Sequence, residues 1–284
     1  MQVRAHAKIN INLRILGRNR ATGFHDIETW MAPVSLADDL DVRLDAEPGI
    51  RLTCSDPSLD PGPGNLAWRA ADLFLRETAH PGGATIALDK HIPHGAGLGG
   101  GSSDAAAVLA ALNQLAGSPL APQHLETLAA QLGSDVPFFI RGNPAMASGR
   151  GEILESRPLH RPLHLLLLKP PFPVQTAWAY GAWSQGKRCP AAWVAPQLAG
   201  DIEIFNDLER PVFAKFIVLA ALKEWLLAHS LVEAAAMTGS GSAMFALLRD
   251  PRGAEQLASE AKAEFGGTLW TCACGTGSGA HASP

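Results

Sequence analysis

A glycine-rich run that leads into an alanine-rich segment places the strongest constraint on how this chain can fold. Five of the seven residues from Gly95 to Gly101 are glycine, and Ser102, Ser103 and Asp104 precede the helix-favouring segment Ala105 to Ala116. Glycine removes the Cβ atoms that would keep an anion away from the backbone, and serine and aspartate favour helix starts. Unpaired N–H groups and the positive end of a helix dipole would then converge on one place. The junction predicts a phosphate-binding loop, and it leaves the reaction open.

Length and composition indicate a folded protein whose phosphate recognition is local. A chain of 284 residues lies near the length at which one core divides into two, so we expect two lobes with a cleft, or else one large α/β domain. Hydrophobic residues make up 47% and charged residues 18%, which is typical of a globular enzyme. The net charge of −4 gives no reason to expect a nucleic-acid or membrane partner.

The N-terminus and the cysteines predict a cytoplasmic protein. The first residues contain no long apolar segment of the kind found in a signal peptide. Of the four cysteines, Cys272 and Cys274 are too close for the usual paired-ligand spacing of zinc sites, and no second pair completes a site. We therefore expect free thiols at Cys54, Cys189, Cys272 and Cys274.

The pattern of apolar residues changes near Pro158, where we predict the lobe boundary. The N-terminal lobe would span residues 1–158 and the C-terminal lobe residues 159–284, with a frayed glycine-rich tail from about residue 275. Strands are predicted at 3–16, 39–44, 49–54, 84–89, 163–168 and 243–248. Helices are predicted at 65–78, 103–115, 123–132, 213–229 and 253–265. These elements predict an α+β fold.

The glycine run fits two familiar phosphate motifs only in part or not at all. The residues from Gly95 to Gly100 have the Gly-x-Gly-x-x-Gly spacing of a dinucleotide site, but no acidic residue lies between Ala105 and His124 to bind a ribose. The Walker A motif fails because no Lys-Ser or Lys-Thr follows the glycines. A lysine that serves the phosphates must come from another segment.

Lys8 and Asp135 are the charged residues that stand out from their surroundings. Lys8 lies in an otherwise apolar strand, where a charge is costly unless it is paired or useful, although a solvated lysine on an edge strand is the simpler interpretation. Asp135 lies between a helix-ending glycine and Val-Pro-Phe-Phe, so it is either a base in a partly buried turn, a helix cap or half of a salt bridge. The late turn from Thr238 to Ser242 is either a tight hairpin or an anion-binding nest.

Several motifs together carry a resemblance to a known superfamily. The strand Ala7-Lys8-Ile9-Asn10, the loop from Pro93 to Asp104 and the turn Thr238-Gly239-Ser240-Gly241 resemble, in that order, the galactokinase, homoserine kinase, mevalonate kinase and phosphomevalonate kinase (GHMP) superfamily. Four further segments resemble more closely the members that act on a CDP-linked methylerythritol in the non-mevalonate isoprenoid pathway. They are Gly23-Phe24-His25, Gly133-Ser134-Asp135-Val136-Pro137, Gly149-Arg150-Gly151-Glu152 and Phe205-Asn206-Asp207-Leu208-Glu209.

The resemblance implies a two-lobed α+β fold with the active site in the cleft between the lobes. It also implies an ATP- and Mg²⁺-dependent kinase that phosphorylates the 2-hydroxyl of CDP-methylerythritol. The spacing of acidic residues alone assigns no Mg²⁺ ligand. Two alternatives remain open, which are a related kinase acting on homoserine or mevalonate and a nicotinamide-dependent oxidoreductase, and a non-catalytic nucleotide-binding module is a further one.

The resemblance also implies roles for individual residues. Lys8 and Asp135 would be the catalytic pair. Residues on the nucleotide side would be Asn65, Lys90, Pro93, Gly95, Ala96, Gly97, Leu98, Gly99, Gly100, Gly101, Ser102 and Ser103. Residues on the acceptor side would be Asn10, Phe24, His25, Tyr180, Thr238 and Gly239. The superfamily members closest in pattern commonly have tyrosine at the position of Phe24, and phenylalanine keeps the ring face while losing the hydroxyl.

Overall fold

Two long antiparallel strands form the centre of the molecule in the computed structural model, which describes residues 1–186 and 189–277. Strand β1 (Gln2–Arg18) pairs with β2 (His25–Asp45) along nearly its whole length. The pairing register shifts between His6 and Lys8 and again between Asn10 and Asn12. Such bulges change which side chains face inward, and every residue from 7 to 11 is buried. Ala7, Ile9 and Ile11 share one core cluster, whereas Lys8 and Asn10 contact each other on the opposite side of the strand, so the side chains alternate here although all of them are buried.

The larger sheet has eight strands and draws on both halves of the chain. Its path runs β3-β4-β2-β1-β9-β8, and β5 pairs with β2 and β6. Besides β1 and β2, its strands are β3 (Ile50–Cys54), β4 (Gly83–Asp89), β5 (Ala145–Ser148), β6 (Ile153–Ser156), β8 (Gln197–Ala199) and β9 (Ile202–Asn206). β9 lies parallel to β1, so a strand from late in the chain extends the sheet beside Asn12 and Leu13.

Four helices cover one face of the larger sheet. They are α1 (Leu66–Glu77), α2 (Gly100–Leu115), α3 (Pro122–Leu132) and α4 (Val136–Arg141). The alanine-rich side of α2 lets it lie close to the strands, and Val108, Leu109 and Leu112 are fully buried in the core that it shares with Phe74 of α1. This packing fixes the start of α2 at the end of the glycine run.

The smaller sheet has four antiparallel strands in the order β10-β11-β7-β12. These strands are β7 (His164–Lys169), β10 (Val232–Met237), β11 (Met244–Leu248) and β12 (Trp270–Gly275). The helices of this half are α5 (Thr176–Ser184), α6 (Glu209–Lys215), α7 (Ile217–Ala228) and α8 (Ala254–Phe265). None of the helices in the described part of the chain is long and apolar enough to span a membrane.

The two sheets pack against each other through alternate residues of β7. Leu165 and Leu167 share a core with Ile9 and Ile11 of β1, whereas Leu166 and its neighbour Leu168 lie in the core beneath the helices. A strand buried on both faces needs a continuous apolar sequence, which explains the run of leucines in β7. The contact brings β1, with Lys8, against the second half of the molecule.

Several predicted elements differ from the structure in their bounds. The strand predicted at 39–44 is the end of the much longer β2, and α2 begins at Gly100 rather than at Ser103. The single helix predicted at 213–229 is two helices, because Phe216 leaves helical geometry with ψ of 71°. Strand β12 was not predicted, although Trp270–Gly275 pairs with β7 along its whole length.

The predicted frayed tail is ordered at its start. Gly275 ends β12, and the Thr276 amide donates to the carbonyl of Leu163 at 3.0 Å. Residues 278–284 lie outside the described residues. The lobe boundary near Pro158 stays a prediction. Strands β8 and β9 follow it in the chain and nevertheless join the larger sheet.

Candidate active site

A cavity of 1170 Å³ contains nearly all the residues that the sequence suggested for the site. The glycine run borders one part of this cleft, aromatic side chains border another part, and Lys8 and Asp135 also line it. The predicted residues that line it are Lys8, Asn10, Phe24, His25, Asn65, Lys90, Pro93, Gly95, Ala96, Gly97, Leu98, Gly99, Gly100, Gly101, Ser102, Asp135, Tyr180 and Gly239. Ser103 and Thr238 are not among the lining residues.

The ammonium of Lys8 is buried at the wall of the cleft. Its Nζ donates to Asn10 Oδ1 at 2.5 Å and to the carbonyl of Gly97 at 3.0 Å, and it lies 3.8 Å from Asp135 Oδ2. Burial lowers the pKa of Lys8, and the Asp135 carboxylate opposes that shift. Two neutral acceptors hold the ammonium in place, which leaves its third N–H donor for Asp135 or for a ligand in the cleft.

Asp135 presents a carboxylate that local structure leaves available. It occupies the N-cap position of α4, but its side chain makes no capping hydrogen bond. The side chain is 36% exposed and lines the cleft. Of the three interpretations open from the sequence, the structure shows the ion pair with Lys8 and no side-chain cap. A carboxylate in this position can contact both a buried cation and a hydroxyl bound in the cleft.

The start of α2 presents backbone donors to the cleft. Gly99 is the N-cap residue, with φ of 75°, and as a glycine it has no side chain to cap the helix. The first N–H groups of a helix have no acceptor within it, so those of Gly100, Gly101 and Ser102 are available to an anion. A Cβ built at Gly101 would meet only Leu66, at 3.7 Å, so the approach to this N-terminus is open.

Other glycines of the run serve packing inside the protein. A Cβ at Gly97 would lie 2.3 Å from the carbonyl oxygen of Thr238, and one at Gly99 would lie 2.7 Å from the ring of Phe139. The side chains of Ala96 and Leu98 are buried in the core, so only their backbone atoms border the cleft. The glycine run is therefore packed against the protein at Gly97 and Gly99 and open to the cleft at Gly101.

Lys90, which precedes the glycine run, binds Asp104, which follows it, in a buried cluster of ion pairs. Its Nζ donates to Asp38 and, at 2.7 Å, to Asp104 Oδ2. Asp38 also accepts from the amides of His91 and Ile92 at 2.5 and 2.8 Å. Burial lowers the pKa of Lys90, but the two carboxylates outweigh it and raise the pKa above its ordinary value. The ammonium predicted near adenosine is therefore committed to protein carboxylates.

Asp104 is a buried carboxyl group at the cleft. Burial, together with the neighbouring Asp38, raises its pKa to about 7, against the opposing effect of Lys90. Its Oδ1 atom is buried without a hydrogen-bond partner in the described part of the chain. The predicted helix-capping role of this residue is wrong, because Asp104 lies within α2 and contacts Lys90.

Aromatic side chains gather in a second part of the cleft lining, called here its aromatic end. The ring centroid of His25 lies 5.2 Å from that of Tyr180 and 5.7 Å from that of Trp183, and its Nε2 is 2.6 Å from Ser184 Oγ. Burial and the neighbouring Arg18 lower the pKa of His25, which favours the neutral imidazole at pH 7. Burial raises the pKa of the Tyr180 phenol. This end offers neutral rings and hydrogen-bonding groups to a planar ligand.

Two arginines that were given no role from the sequence also line this end. Arg150 lies over the ring of Phe24, with its guanidinium carbon 5.1 Å from the centroid. Arg18 lines the same cavity and donates to the carbonyl of Gly23 at 3.0 Å. Phe24 is 55% exposed, so one face of its ring carries the guanidinium while much of the ring remains accessible. The segment around Arg150 was singled out in the sequence, and that signal could have found it.

The structure corrects the predicted ligand contacts of Ser103 and Thr238. Ser103 donates its hydroxyl to the carbonyl of His6 at 2.7 Å and lines a separate groove. Thr238 is fully buried, and its Oγ1 accepts from the amide of Asn10 at 3.0 Å. Both hydroxyls are used within the protein. Gly239, by contrast, lies at the surface of the cleft as expected.

Asn65, Pro93 and Gly95, which were predicted on the nucleotide side, line the cleft together with the glycine run. This part of the cleft is called here its nucleotide end. Asn65 caps α1, accepting from the Ala67 amide at 3.0 Å and donating to the Asp60 carbonyl at 3.0 Å. Pro93 and Gly95 border the entrance of the glycine run. Asp38 was missed from the sequence because Asp39 and Asp41 beside it make the segment look polar, although it alternates onto the same buried face as Leu40 and Val42.

Comparison with known proteins agrees with this geometry. Residues 65–143 match the GHMP kinases N terminal domain, and residues 196–267 match the GHMP kinases C terminal. A 4-diphosphocytidyl-2-C-methyl-D-erythritol kinase of Methylacidiphilum infernorum is 43% identical over 270 residues, covering 94% of this chain and 93% of that protein. A protein of the same name from Geobacter sp. strain M21 is 38% identical over 265 residues, covering 92% and 94%.

A solved structure gives the same result. The crystal structure of a 4-(cytidine 5'-diphospho)-2C-methyl-D-erythritol kinase is 37% identical, has a TM-score of 0.80, and matches 98% of this chain and 100% of its own. These relatives confirm the prediction of an ATP-dependent kinase and displace the oxidoreductase and non-catalytic alternatives. The chain belongs to the GHMP kinases and, within them, to the 4-diphosphocytidyl-2-C-methyl-D-erythritol kinase family.

Proposed function

We propose that this protein transfers the γ-phosphoryl group of ATP to the 2-hydroxyl of 4-diphosphocytidyl-2-C-methyl-D-erythritol, in the non-mevalonate route to isoprenoid precursors. The observation that carries the proposal is the position of the Lys8–Asp135 pair. The two charges lie 3.8 Å apart on the lining of a cleft that has backbone phosphate donors in one part and neutral aromatic rings in a second part. This arrangement supports a transfer from a nucleotide in the first part to an acceptor in the second.

The nucleotide end has the features that a triphosphate requires. The helix dipole and the free N–H groups at the start of α2 favour negative charge there. The open space in front of Gly101 admits an anion to those donors. Asn65 lies at the same end, where its side chain already joins α1 to the loop before it. We propose that Gly95 to Ser102 bind the phosphates and that Asn65 lies near the adenosine.

The residues at the cleft fit a Mg²⁺ ion that is held largely by substrate phosphates. The described residues contain no cluster of three metal-binding side chains, and Mg²⁺ in kinases commonly keeps waters and phosphate oxygens with one or two protein carboxylates. Ser102, which lines the cleft at the start of α2, would be the side chain to hold it. When bound, the ion would neutralise charge on the phosphate oxygens.

The aromatic end suits a cytidine diphosphate. A neutral His25 beside Tyr180 offers hydrogen bonds and a ring face to a base, and Phe24 adds a second ring. Arg18 and Arg150 bring positive charge to the same end, where it would complement a diphosphate. A nucleotide-linked acceptor uses all of these groups. Homoserine or mevalonate would leave most of them without a partner, so the CDP-linked acceptor is the better candidate.

The reacting atoms would meet beside Lys8 and Asp135. A new bond forms between the acceptor oxygen and the γ-phosphorus as the bond from that phosphorus to the β–γ bridging oxygen breaks, and ADP leaves. Asp135 would orient the acceptor hydroxyl and take its proton. Lys8 would pair with the Asp135 carboxylate and offset the negative charge that spreads over the transferred group.

A panel of acceptors tests the proposal directly. Purified protein is incubated with ATP and Mg²⁺ and with each of four alcohols: the CDP-linked methylerythritol, free methylerythritol, homoserine and mevalonate. We expect ADP release that depends on the CDP-linked acceptor, and ³¹P NMR should show a new phosphomonoester. Equal kcat/KM for free and CDP-linked methylerythritol, or turnover of homoserine or mevalonate alone, would refute the proposed acceptor.

We also propose a cytoplasmic location. All four cysteines are free in the structure. Unpaired thiols are usual in a reducing compartment, where disulfides are rare.

A further inference from the structure

The turn from Thr238 to Ser242, called here the late glycine turn, forms part of the support behind the Lys8 ammonium. Its Thr238 hydroxyl accepts from the amide of Asn10, and Asn10 in turn accepts from Lys8 Nζ. The turn also packs directly on Gly97, whose carbonyl is the second acceptor of Lys8. A displacement of the turn would therefore reach both neutral groups that hold the ammonium.

The side chain of Asn206 fastens this turn from the side away from the cleft. Asn206 ends β9 and is 3% exposed. Its Nδ2 donates to the carbonyl of Met237 at 2.7 Å and to that of Gly239 at 2.8 Å. The side-chain amide of Asn206 therefore binds the backbone on both sides of Thr238. Its Oδ1 accepts from the amide of Leu208 at 2.9 Å. Both N–H donors of the side chain and one of the two acceptor sites of its oxygen are thus committed to the backbone.

A buried ion pair adds a second attachment at the same place. Glu209 accepts from the amide of Met237 at 2.8 Å and from Lys223 Nζ at 2.6 Å. Glu209 and Lys223 are 0% and 2% exposed. Burial of a charge pair is costly and is tolerated when the geometry is well satisfied. Asn206 and Glu209 belong to the segment Phe205 to Glu209, which the sequence singled out and which lies outside the cleft lining.

We infer that Asn206 is a positioning residue for phosphoryl transfer, holding the late glycine turn against Asn10 and Gly97 and thereby fixing the Lys8 ammonium without touching a ligand. The inference rests on the proposed function, because it assigns Lys8 a part in the transfer. It predicts an effect on the transfer step rather than on the binding of either substrate. Misplacement of a reacting group by about 1 Å can lower a rate by as much as ~10²-fold.

Asn113 offers a matched control in the same chain. It is also a buried asparagine, 7% exposed, and it joins α2 to the following loop by two hydrogen bonds with the backbone of Leu120, both 3.0 Å long. It does not line the cleft. Asn206→Ala and Asn113→Ala should therefore lose comparable backbone anchoring and comparable thermal stability, while only the former disturbs the turn.

The first measurement separates kcat from KM. We expect Asn206→Ala to lower kcat by about 10- to 100-fold with KM for ATP and acceptor within roughly threefold of wild type, and Asn113→Ala to keep kcat within about twofold. Thr238→Val leaves Asn206 in place and removes the acceptor of the Asn10 amide, so it should give the same kinetic pattern. The double variant Asn206→Ala, Thr238→Val should fall short of additivity, because both changes act through one turn. Additive effects, or equal kcat in the two alanine variants, would overturn the inference.

The second measurement does not depend on the acceptor. Hydrogen exchange of the amides from 237 to 243, followed by mass spectrometry without substrates, should be faster in Asn206→Ala and unchanged in Asn113→Ala. Failure of wild type to turn over the CDP-linked acceptor would refute the proposed function alone. Unchanged exchange in Asn206→Ala would refute the positioning role whatever the acceptor is. If Asn206→Ala does not fold, Thr238→Val carries both measurements.

Discussion

The Lys8 ammonium and the Asp135 carboxylate lie 3.8 Å apart, although one comes from the first strand and the other from the turn before α4. Two neutral acceptors hold the Lys8 ammonium in place. The Asp135 carboxylate makes no capping hydrogen bond, so it is available to a ligand in the cleft. This asymmetry suits a cation that stabilises charge and a carboxylate that contacts a hydroxyl. It gives the first prediction.

Asp135→Asn should lower kcat by at least ~10²-fold, the lower range for the loss of a general base, while both substrates still bind. The amide keeps the size of the side chain and cannot accept the acceptor proton as a carboxylate does. Steady-state kinetics with each substrate varied in turn provides the measurement. Asp72→Asn is the control, because Asp72 is 29% exposed, is paired with Arg76 and lies outside the cleft. Near-normal kcat in Asp135→Asn would exclude its catalytic role.

Lys90→Met should destabilise the protein strongly and raise KM for ATP. The substitution leaves Asp38 and Asp104 buried without their cation, a change that typically costs about 3–5 kcal/mol. The segment that enters the glycine run would then separate from α2. Urea unfolding and ATP kinetics measure the two effects. The double variant Lys90→Met, Asp104→Asn should recover part of the lost stability. If Lys90→Met alone were as stable as wild type, the buried ion pairs of Lys90 would not hold this segment in place.

The raised pKa of Asp104 makes stability depend on pH in a definite direction. Its pKa is about 7 in the folded protein and 3.8 ordinarily, so between these values the folded state binds the proton that the unfolded state has released. The contribution of Asp104 to stability is complete below pH 3.8 and declines as the pH rises to about 7. Asp104→Asn removes this dependence. The Tm of the variant relative to wild type should therefore increase from pH 5 to pH 8, and a constant difference would disprove the shift.

Arg150→Ala should raise KM for the CDP-linked acceptor by roughly tenfold, the equivalent of one charge-assisted contact, and leave KM for ATP unchanged. Arg14→Ala is the matched control, because Arg14 also lies over a phenylalanine ring, that of Phe205 at 4.9 Å, and does not line the cleft. Equal acceptor KM in the two variants would show that Arg150 only packs on Phe24.

Substitutions of two glycines should separate loop packing from ligand approach. Gly97→Ala places a Cβ 2.3 Å from the Thr238 carbonyl at a φ of +78°, so it should lower Tm and activity together. Gly101→Ala meets only Leu66, at 3.7 Å, within a helix, so its Tm should match or exceed that of wild type. Any loss in Gly101→Ala should then be confined to ATP binding. Differential scanning calorimetry and ATP titration distinguish these effects.

The parts of the site that could be predicted from the sequence are those that a local pattern carries. The glycine run before a helix identified the nucleotide end, and a lysine in an apolar strand marked Lys8. Asp135 stood out between a helix-ending glycine and Val-Pro-Phe-Phe, and the ordered set of motifs joined it to Lys8, which no local spacing does. The cleft residues Phe24 and His25 came from the same set. All four line one cavity.

The parts that could not be predicted depend on which strands and turns meet. Ser103 was expected at the phosphates, but α2 starts at Gly100, which turns that hydroxyl toward His6. The pairing of Lys90 with Asp38 requires the register in which Asp39 lies opposite Asp89 across β2 and β4. No periodicity in the sequence contains that register. Such contacts follow only from the assembled sheet.

The parallel pairing of β9 with β1 has a consequence for how the molecule forms during synthesis. Until the ribosome has made residues 202–206, the edge of β1 at Asn12 and Leu13 has no neighbouring strand. These residues later pair with Phe205 and Asn206 of β9. Nascent chains shorter than this expose main-chain groups to chance association with other polypeptides. Competence for catalysis and protection from aggregation therefore arrive together, late in translation.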